Sequence, residues 1–382
     1  MSEWLSAQEV MDRLNIRAQT LYAYVSRGRI EARAQADDPR KSLYRKADIV
    51  RLETRKARGR KAAAVAQETI AFGEPILASA ITTIQSGNLF YRGRNAVGLS
   101  QTLSLEAVTL LLLDVEGGSF GPRRPVPFSG PTGKARVFSA LGWAASEAVP
   151  SRGRHLDLLH AEALQILNLV ADAMVGHSDH QGLIHQRLAH AWGCDEVGAD
   201  LLRRALVLLA DHELNASTFA ARVTASTGAP LAGALLAGFC ALSGPLHGGM
   251  AARVRSFMDE AARVGIERTL QISIERAVTV PGFYHPLYPE GDPRAKALLE
   301  VFVPPADYQA VFAATEAATG KAPNIDFALA ALASTLNLPE DAPFLLFAMA
   351  RCAGWLAHAI EQVRTGTLIR PRALYIGPRL QV

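Results

Sequence analysis

From about residue 69 onward the chain is a succession of long alanine- and leucine-rich apolar stretches separated by Gly/Pro turns, and this pattern restricts the fold more than any other feature. Examples are 103–113, 155–174, 182–192, 199–211, 231–242, 250–264 and 344–361. Stretches of ten or more residues with apolar positions at helical spacing predict helices rather than strands. Only 7% of residues are aromatic, which disfavours a sandwich or barrel built from aromatic and β-branched strands. The expected fold class is all-α, in a chain of 382 residues that has room for two or three domains.

The charge is unevenly placed. The chain carries +4 overall, but residues 1–61 hold 15 Lys+Arg against 8 Asp+Glu, so about +7 lies there and about −3 in the remainder. The run Arg55-Lys56-Ala57-Arg58-Gly59-Arg60-Lys61 then gives way to an alanine stretch, which predicts a first domain over 1–60, a linker over 61–68 and a second domain over 69–382. Within 1–60, Ser6 can cap a short helix with Val10, Met11 and Leu14 inward. A second helix follows over about 17–26, then a hairpin from 30–34 and 42–45, then a helix with Ile49, Val50 and Leu52. Further on, 117–133 is rich in Gly and Pro and reads as one long surface loop.

Several chemistries are excluded or disfavoured. Cys194, Cys240 and Cys352 are far apart without C-x-x-C spacing, so neither a disulfide framework nor a thiolate zinc site is expected, and a reducing, cytoplasmic setting fits. The first residues lack the basic-then-apolar pattern of a leader, and the longest apolar runs, such as 110–113, fall far short of a membrane span. His177, His180, His185 and His190 do not share one helix face, so no metal site is expected. A glycine-rich phosphate loop is also absent, since 228–244 has no lysine in the required place.

Chemistry is expected where polar residues interrupt the apolar helices. The apolar run 201–210 ends in Asp211-His212-Glu213-Leu214-Asn215-Ala216-Ser217-Thr218, a cluster that fits either a ligand site or a helix stop followed by a cap. His247 lies among glycines in Ser243-Gly244-Pro245-Leu246-His247-Gly248-Gly249, just before a helix whose dipole would keep it neutral; a turn histidine facing solvent is the alternative. His285 and Arg294 fall in an irregular loop, where Arg294 could clamp a carboxylate. Asp326 follows Asn324, a helix cap, and has apolar neighbours that would raise its pKa towards that of a general base, although an acid in a first helical turn also serves the dipole. Arg351 is the only charge over several turns of an apolar helix; either an anion faces it or it snorkels to the surface.

Two resemblances follow from these strings. Leu5-Ser6-Ala7-Gln8-Glu9-Val10 with Thr20-Leu21-Tyr22-Ala23-Tyr24-Val25-Ser26-Arg27-Gly28, in the order helix, turn, helix, hairpin, helix, resembles the winged helix-turn-helix of the MerR and excisionase families. That resemblance implies DNA binding through Arg17, Gln19, Thr20, Tyr22, Arg27 and Arg29, the second helix entering the major groove. The strings His-Glu-x-Asn-x-Ser-Thr, Gly-Pro-Leu-His-Gly-Gly, Pro-Gly-Phe-x-His, Asp-Pro-Arg, Asn-Ile-Asp-Phe and Arg-x-x-Gly-Trp-x-x-His, in this order, resemble the citrate synthase family over about 70–382. The likeness extends to 88–94 and 368–375.

The second resemblance implies condensation of acetyl-CoA with oxaloacetate and hydrolysis to citrate and CoA, as at entry to the tricarboxylic acid cycle, with acetyl-CoA as co-substrate and no cofactor or metal. It implies Asp326 as the base, His247 as donor to the thioester oxygen, and His285 on the ketone. His212, Arg294 and Arg351 would hold the oxaloacetate carboxylates, with Arg370 reaching the partner's site in a homodimer. A small domain, about 248–334, would close against the large one. Alternatives are 2-methylcitrate synthesis from propionyl-CoA and a DNA-binding regulator that senses oxaloacetate or acyl-CoA. The chain departs from the family pattern at Met250-Ala251-Ala252, at 286–291, which lacks the usual cations, and at Tyr284, where glycine is usual. Fewer cations there imply weaker contact with the CoA phosphates.

Overall fold

The computed structural model describes residues 4–14, 16, 18–26, 29–35, 38, 41–58, 77–117, 127–177, 182–276, 278–371 and 377, with backbone only at 23 and 53–58. Arg17, Arg27, His180, the 61–68 linker, the 118–126 part of the Gly/Pro loop and 372–376 lie outside the described residues. Contacts divide the chain into two units, Met1–Ala78 with Pro371–Val382, and Ser79–Arg370.

In the first unit the order is β1 (Trp4–Ser6), α1 (Ala7–Leu14), α2 (Ala18–Ser26), β2 (Ala32–Ala34), β3 (Ser42–Arg45) and α3 (Lys46–Arg58). Ser6 begins α1 with a capping box: Glu9 Oε2 accepts from Ser6 N at 2.7 Å and from Ser6 Oγ at 2.8 Å. Strand β3 is central and antiparallel to both neighbours, with Tyr44 opposite Leu5 and Ala32. Strand β1 is not expected from the sequence, because three residues carry no readable alternation. Val10, Leu14, Leu21, Ile30, Tyr44 and Ile49 form a small core, while Val50 is exposed on α3.

The second unit opens with an antiparallel meander, β4 (Thr82–Gln85), β5 (Asn88–Tyr91) and β6 (Arg94–Asn95), turned by Ser86-Gly87 and Arg92-Gly93, all four at positive φ. Helices follow: α4 (Ala96–Ser100), α5 (Leu105–Leu113), α6 (Gly133–Glu147), α7 (Leu156–Val175), α8 (Ile184–Ala191), α9 (Glu196–Leu209), α10 (Ala216–Ser226), α11 (Leu231–Leu242), α12 (Met250–Val264), α13 (Ile266–Glu275), α14 (Pro293–Leu299), α15 (Ala306–Thr319), α16 (Ile325–Thr335) and α17 (Ala342–Thr365). The fold is predominantly helical, as the apolar stretches require, but the two three-stranded sheets correct the all-α expectation.

Two apolar clusters organise this unit. The larger gathers residues of α5 to α11, α16 and α17 around the buried Trp355 and Phe239. The smaller joins Val254, Phe257 and Met258 of α12, Leu270 of α13, Phe283, Val311 of α15 and Phe327. Helix α16 contributes to both, Ala328 and Leu332 to the first and Phe327 and Ala331 to the second. Helices α7 and α17 are long and apolar enough to cross a membrane, contrary to the expectation that no segment would be. They are 72% and 89% buried over their most apolar windows, and hydrophobic all round because they are core helices.

Candidate active site

Several of the polar groups singled out in the sequence stand at or just before helix N-termini, whose caps fix the local backbone, whereas Arg351 lies within α17. Asn215 caps α10 by accepting from Thr218 N at 3.0 Å; Asp292 caps α14 through Arg294 N at 3.0 Å; Asn324 caps α16 through Asp326 N at 3.0 Å. The loop before α10 is braced by the meander. Tyr91 Oη lies 3.0 Å from Val207 O and 3.3 Å from Asp211 O, and Glu213, at φ 54°, accepts from Ile84 N at 2.9 Å.

His212, His285, Tyr288 and Arg294 form one contact group. His212 Nε2 is 2.9 Å from Tyr288 Oη, the His212 and His285 rings meet edge to face at 5.2 Å, and the Arg294 guanidinium lies 5.2 Å from the Tyr288 ring centre. The His285 Nδ1 accepts from Leu287 N at 3.2 Å, so in the neutral ring the proton is on Nε2. Arg294 is already held bidentately by Asp292, through Nε at 2.9 Å and Nη2 at 2.7 Å. Its clamp is therefore partly committed within the protein, and only its remaining N–H groups are available to a ligand.

Arg351 differs. It is 1% exposed, donates from Nε to Leu209 O at 3.1 Å and lies over the Phe347 ring, while its Nη2 has no partner among the described residues. Snorkelling is excluded by that burial. Desolvation brings its pKa down to about 10, with Asp211 opposing and Arg294 adding to the fall. A buried guanidinium with a free N–H fork is a site for an anion.

The histidines are neutral. Burial lowers His247 and His285 to about 4, helped by Arg351 and Arg294 respectively, and pushes His212 well below its ordinary value, with Arg294 and Arg351 adding to the effect. Burial and a guanidinium, rather than the helix dipole invoked from the sequence, account for the neutral His247. Burial raises Asp326 to about 6, although Arg294 pulls the other way. Electrostatic coupling places His212, His247, His285, Arg294, Asp326 and Arg351 in one cluster. Arg370 is exposed near the end of this unit and does not join it.

Sequence reasoning missed much of the supporting frame. Buried Asp211 pairs through Oδ2 with His358 Nε2 at 3.1 Å; His358 Nδ1 accepts from Arg222 Nη1 at 2.7 Å, and Arg222 pairs with Glu361 at 2.6 Å. Burial would raise the Asp211 pKa, but His358 and Arg351 outweigh it and keep the carboxyl below its ordinary range. Tyr288, Ser217 and Trp355 were likewise not singled out. Arg222, a lone charge inside an apolar helix, shows the same signal that exposed Arg351.

Among the described residues no group of three or more His, Cys, Asp or Glu could hold a metal ion. The arrangement offers three neutral imidazoles, one elevated carboxyl, one guanidinium with an open fork and one partly committed. Such a set can bind a small carboxylate and move a proton at an adjacent carbon.

This constellation sits on a helical frame with a small second core. A family model described as citrate synthase, C-terminal domain, matches residues 135–372. "Putative citrate synthase 2" of Mycobacterium tuberculosis is 34% identical over 76% of this chain and 87% of its own length. "Citrate synthase 2" of Bacillus subtilis is 37% identical over 48% of this chain and 53% of its own length. The solved citrate synthase of Thermotoga maritima covers 82% of this chain and 97% of its own, with a TM-score of 0.68 and 24% identity, a likeness of fold. The chain belongs to the citrate synthase family, transferases that act on acyl groups and use no metal cofactor.

Proposed function

We propose that the cluster condenses acetyl-CoA with oxaloacetate and water to give citrate and CoA. The observation that carries this reading is the unpartnered buried Nη2 of Arg351 beside neutral His212, with Asp326 raised to about 6 in the same cluster. Arg351, His212 and the uncommitted N–H groups of Arg294 hold the oxaloacetate carboxylates. Asp326 removes a methyl proton while His247 hydrogen-bonds the thioester oxygen, and the resulting carbon nucleophile attacks the ketone carbon. His285 donates from Nε2 to the ketone oxygen as it becomes a hydroxyl. Water then cleaves the thioester, releasing citrate and CoA. Arg370, exposed in a single chain, completes the partner's site in a homodimer.

Thiol release from acetyl-CoA plus oxaloacetate tests the reading, with Asp326→Asn as control. No release by the native protein, despite oxaloacetate binding, would favour a sensor of oxaloacetate or acyl-CoA over an enzyme. A propionyl-CoA reading is favoured by one observation: "2-methylcitrate synthase 1" of Corynebacterium glutamicum is 31% identical over 56% of this chain. Since one methylene changes selectivity by only about 10- to 200-fold, turnover with both thioesters decides between them.

The first unit supports DNA binding. The order α1, α2, the β2–β3 pair and α3 fits the expected winged helix-turn-helix, Gln19 and Arg29 are exposed, and Tyr22 is 63% exposed on α2. Thr20 is half-buried on the same helix; Arg17 and Arg27, which the resemblance also implies, lie outside the described residues. Loss of genomic-fragment binding on deleting residues 1–60, with affinity falling steeply with salt in the intact chain, is the expected result. Binding that is flat with salt, or that survives the deletion, sinks it. The three free cysteines fit a cytoplasmic setting.

A further inference from the structure

Ser217 Oγ is a meeting point of α10, α17 and the loop before α12. It lies 2.8 Å from His247 Nε2, 3.2 Å from Trp355 Nε1 and 2.7 Å from Asn215 Oδ1. Ser217 and Trp355 are fully buried. The indole N–H can only donate, and the amide oxygen can only accept. The amide is oriented by its capping role, since the same Oδ1 accepts from Thr218 N at 3.0 Å.

The hydroxyl has a single proton and two acceptors competing for it. When the proton points at Asn215, the neutral His247 must donate from Nε2 to Ser217 Oγ, and its Nδ1 is bare. When the proton points at His247 Nε2, the imidazole proton resides on Nδ1. Trp355 donates to Oγ in both arrangements. Because Nε2 is taken up by Ser217, only the second arrangement offers an N–H to a thioester oxygen.

We propose that Asn215 is a positioning residue that sets the tautomer of His247 by competing for the one proton of Ser217. In the free protein the proton goes to Asn215, because the 2.7 Å contact joins two oxygens and the amide oxygen has no proton to give, and His247 rests with Nδ1 unprotonated. A carbonyl acceptor arriving at Nδ1 turns the hydroxyl towards Nε2, so the electrophile is completed only when the acyl thioester is bound. The exchange needs one hydroxyl rotation and one relocated imidazole proton, with no change in net charge. It rests on the reading of His247 as donor to the thioester oxygen.

The test is 15N NMR of the full-length protein labelled at histidine, with the His247 signals assigned by their loss in His247→Gln. Two substitutions that keep a capping side chain should move the tautomer in opposite directions. Asn215→Ser cannot reach Ser217 with its shorter side chain, and should shift free His247 to the Nδ1–H form. Asn215→Asp grips the hydroxyl proton more strongly; it should keep the Nε2–H form even with oxaloacetate and a non-reactive acyl-CoA analogue bound, and lower kcat at least tenfold. A merely structural cap predicts the same tautomer in all three proteins, and that result overturns the proposal, as does a free native protein already in the Nδ1–H form. A tautomer that follows Asn215 in a protein without condensation activity supports the proposal and refutes the enzymatic reading instead.

Discussion

Replacing Asp326 by asparagine should make the protein slower and more stable together. The folded carboxyl titrates at about 6, against an ordinary 3.8, because burial at the α16 N-terminus disfavours its charge. Well below 3.8 the group is protonated in both folded and unfolded chains, and it contributes no difference between them. As pH rises through 3.8 the unfolded carboxyl ionises first and the folded state loses ground; well above 6 the deficit is complete. By the free-energy equivalent of such an elevation it is about 3 kcal/mol, and water reaching the cleft reduces it towards about 1 kcal/mol. Asparagine cannot ionise, so the variant should regain about 1–3 kcal/mol at pH 8 and no more than about 0.5 kcal/mol at pH 4. Urea unfolding of both proteins at pH 4, 6 and 8 measures this, provided the midpoints move without a change in slope. Thiol release should fall by about 10²- to 10⁴-fold in the variant, and in the native protein should decline as pH drops through about 6. Equal stability differences at pH 4 and pH 8, or an acid limb near 4, would refute the assignment of an elevated carboxyl.

Other substitutions probe the rest of the cluster. Arg351→Met should weaken oxaloacetate binding by about 100-fold in calorimetry, the loss expected for a desolvated charge contact, while the thermal midpoint holds or rises because a costly buried charge is gone. Tyr288→Phe removes the 2.9 Å contact to His212 Nε2, and should raise the KM for oxaloacetate by about 5- to 10-fold, one hydrogen bond's worth, with the KM for acetyl-CoA unchanged. Gly354→Ala should be poorly tolerated, since its Cβ would lie 2.2 Å from Asp211 Oδ1 and 2.7 Å from Ala210 O; a soluble variant with an unaltered thermal midpoint would contradict that packing.

What was legible in the sequence, and what was not, follows from the range of each interaction. Helices such as α11 and α12 were readable to the residue, since their apolar spacing is local. Arg351 and Asp326 were readable because a charge in apolar surroundings carries a cost whatever the fold. The β4 and β5 strands were not, because four residues each are too few to show a period, and only their pairing across Ser86-Gly87 defines them. Nor were the pairings His212 with Tyr288 and Asp211 with His358, whose partners lie 76 and 147 residues apart. For Arg294 the sequence showed a carboxylate clamp but not the partner inside the chain, which is two residues away, at the helix cap. Tyr284 was noticed only as a departure from a usual glycine; its backbone at φ 68° shows why glycine suits the position, since side chains with a Cβ are disfavoured there.

Arg351, Trp355, His358 and Gln362 occupy one stripe of α17, each three or four residues beyond the last. Inserting or deleting a single residue among them would turn everything downstream by about 100° around the axis and carry it along by about 1.5 Å, breaking all these partnerships together. The helical register of this segment is therefore fixed by partners on three other parts of the chain, and its length is as much a part of the site as its side chains.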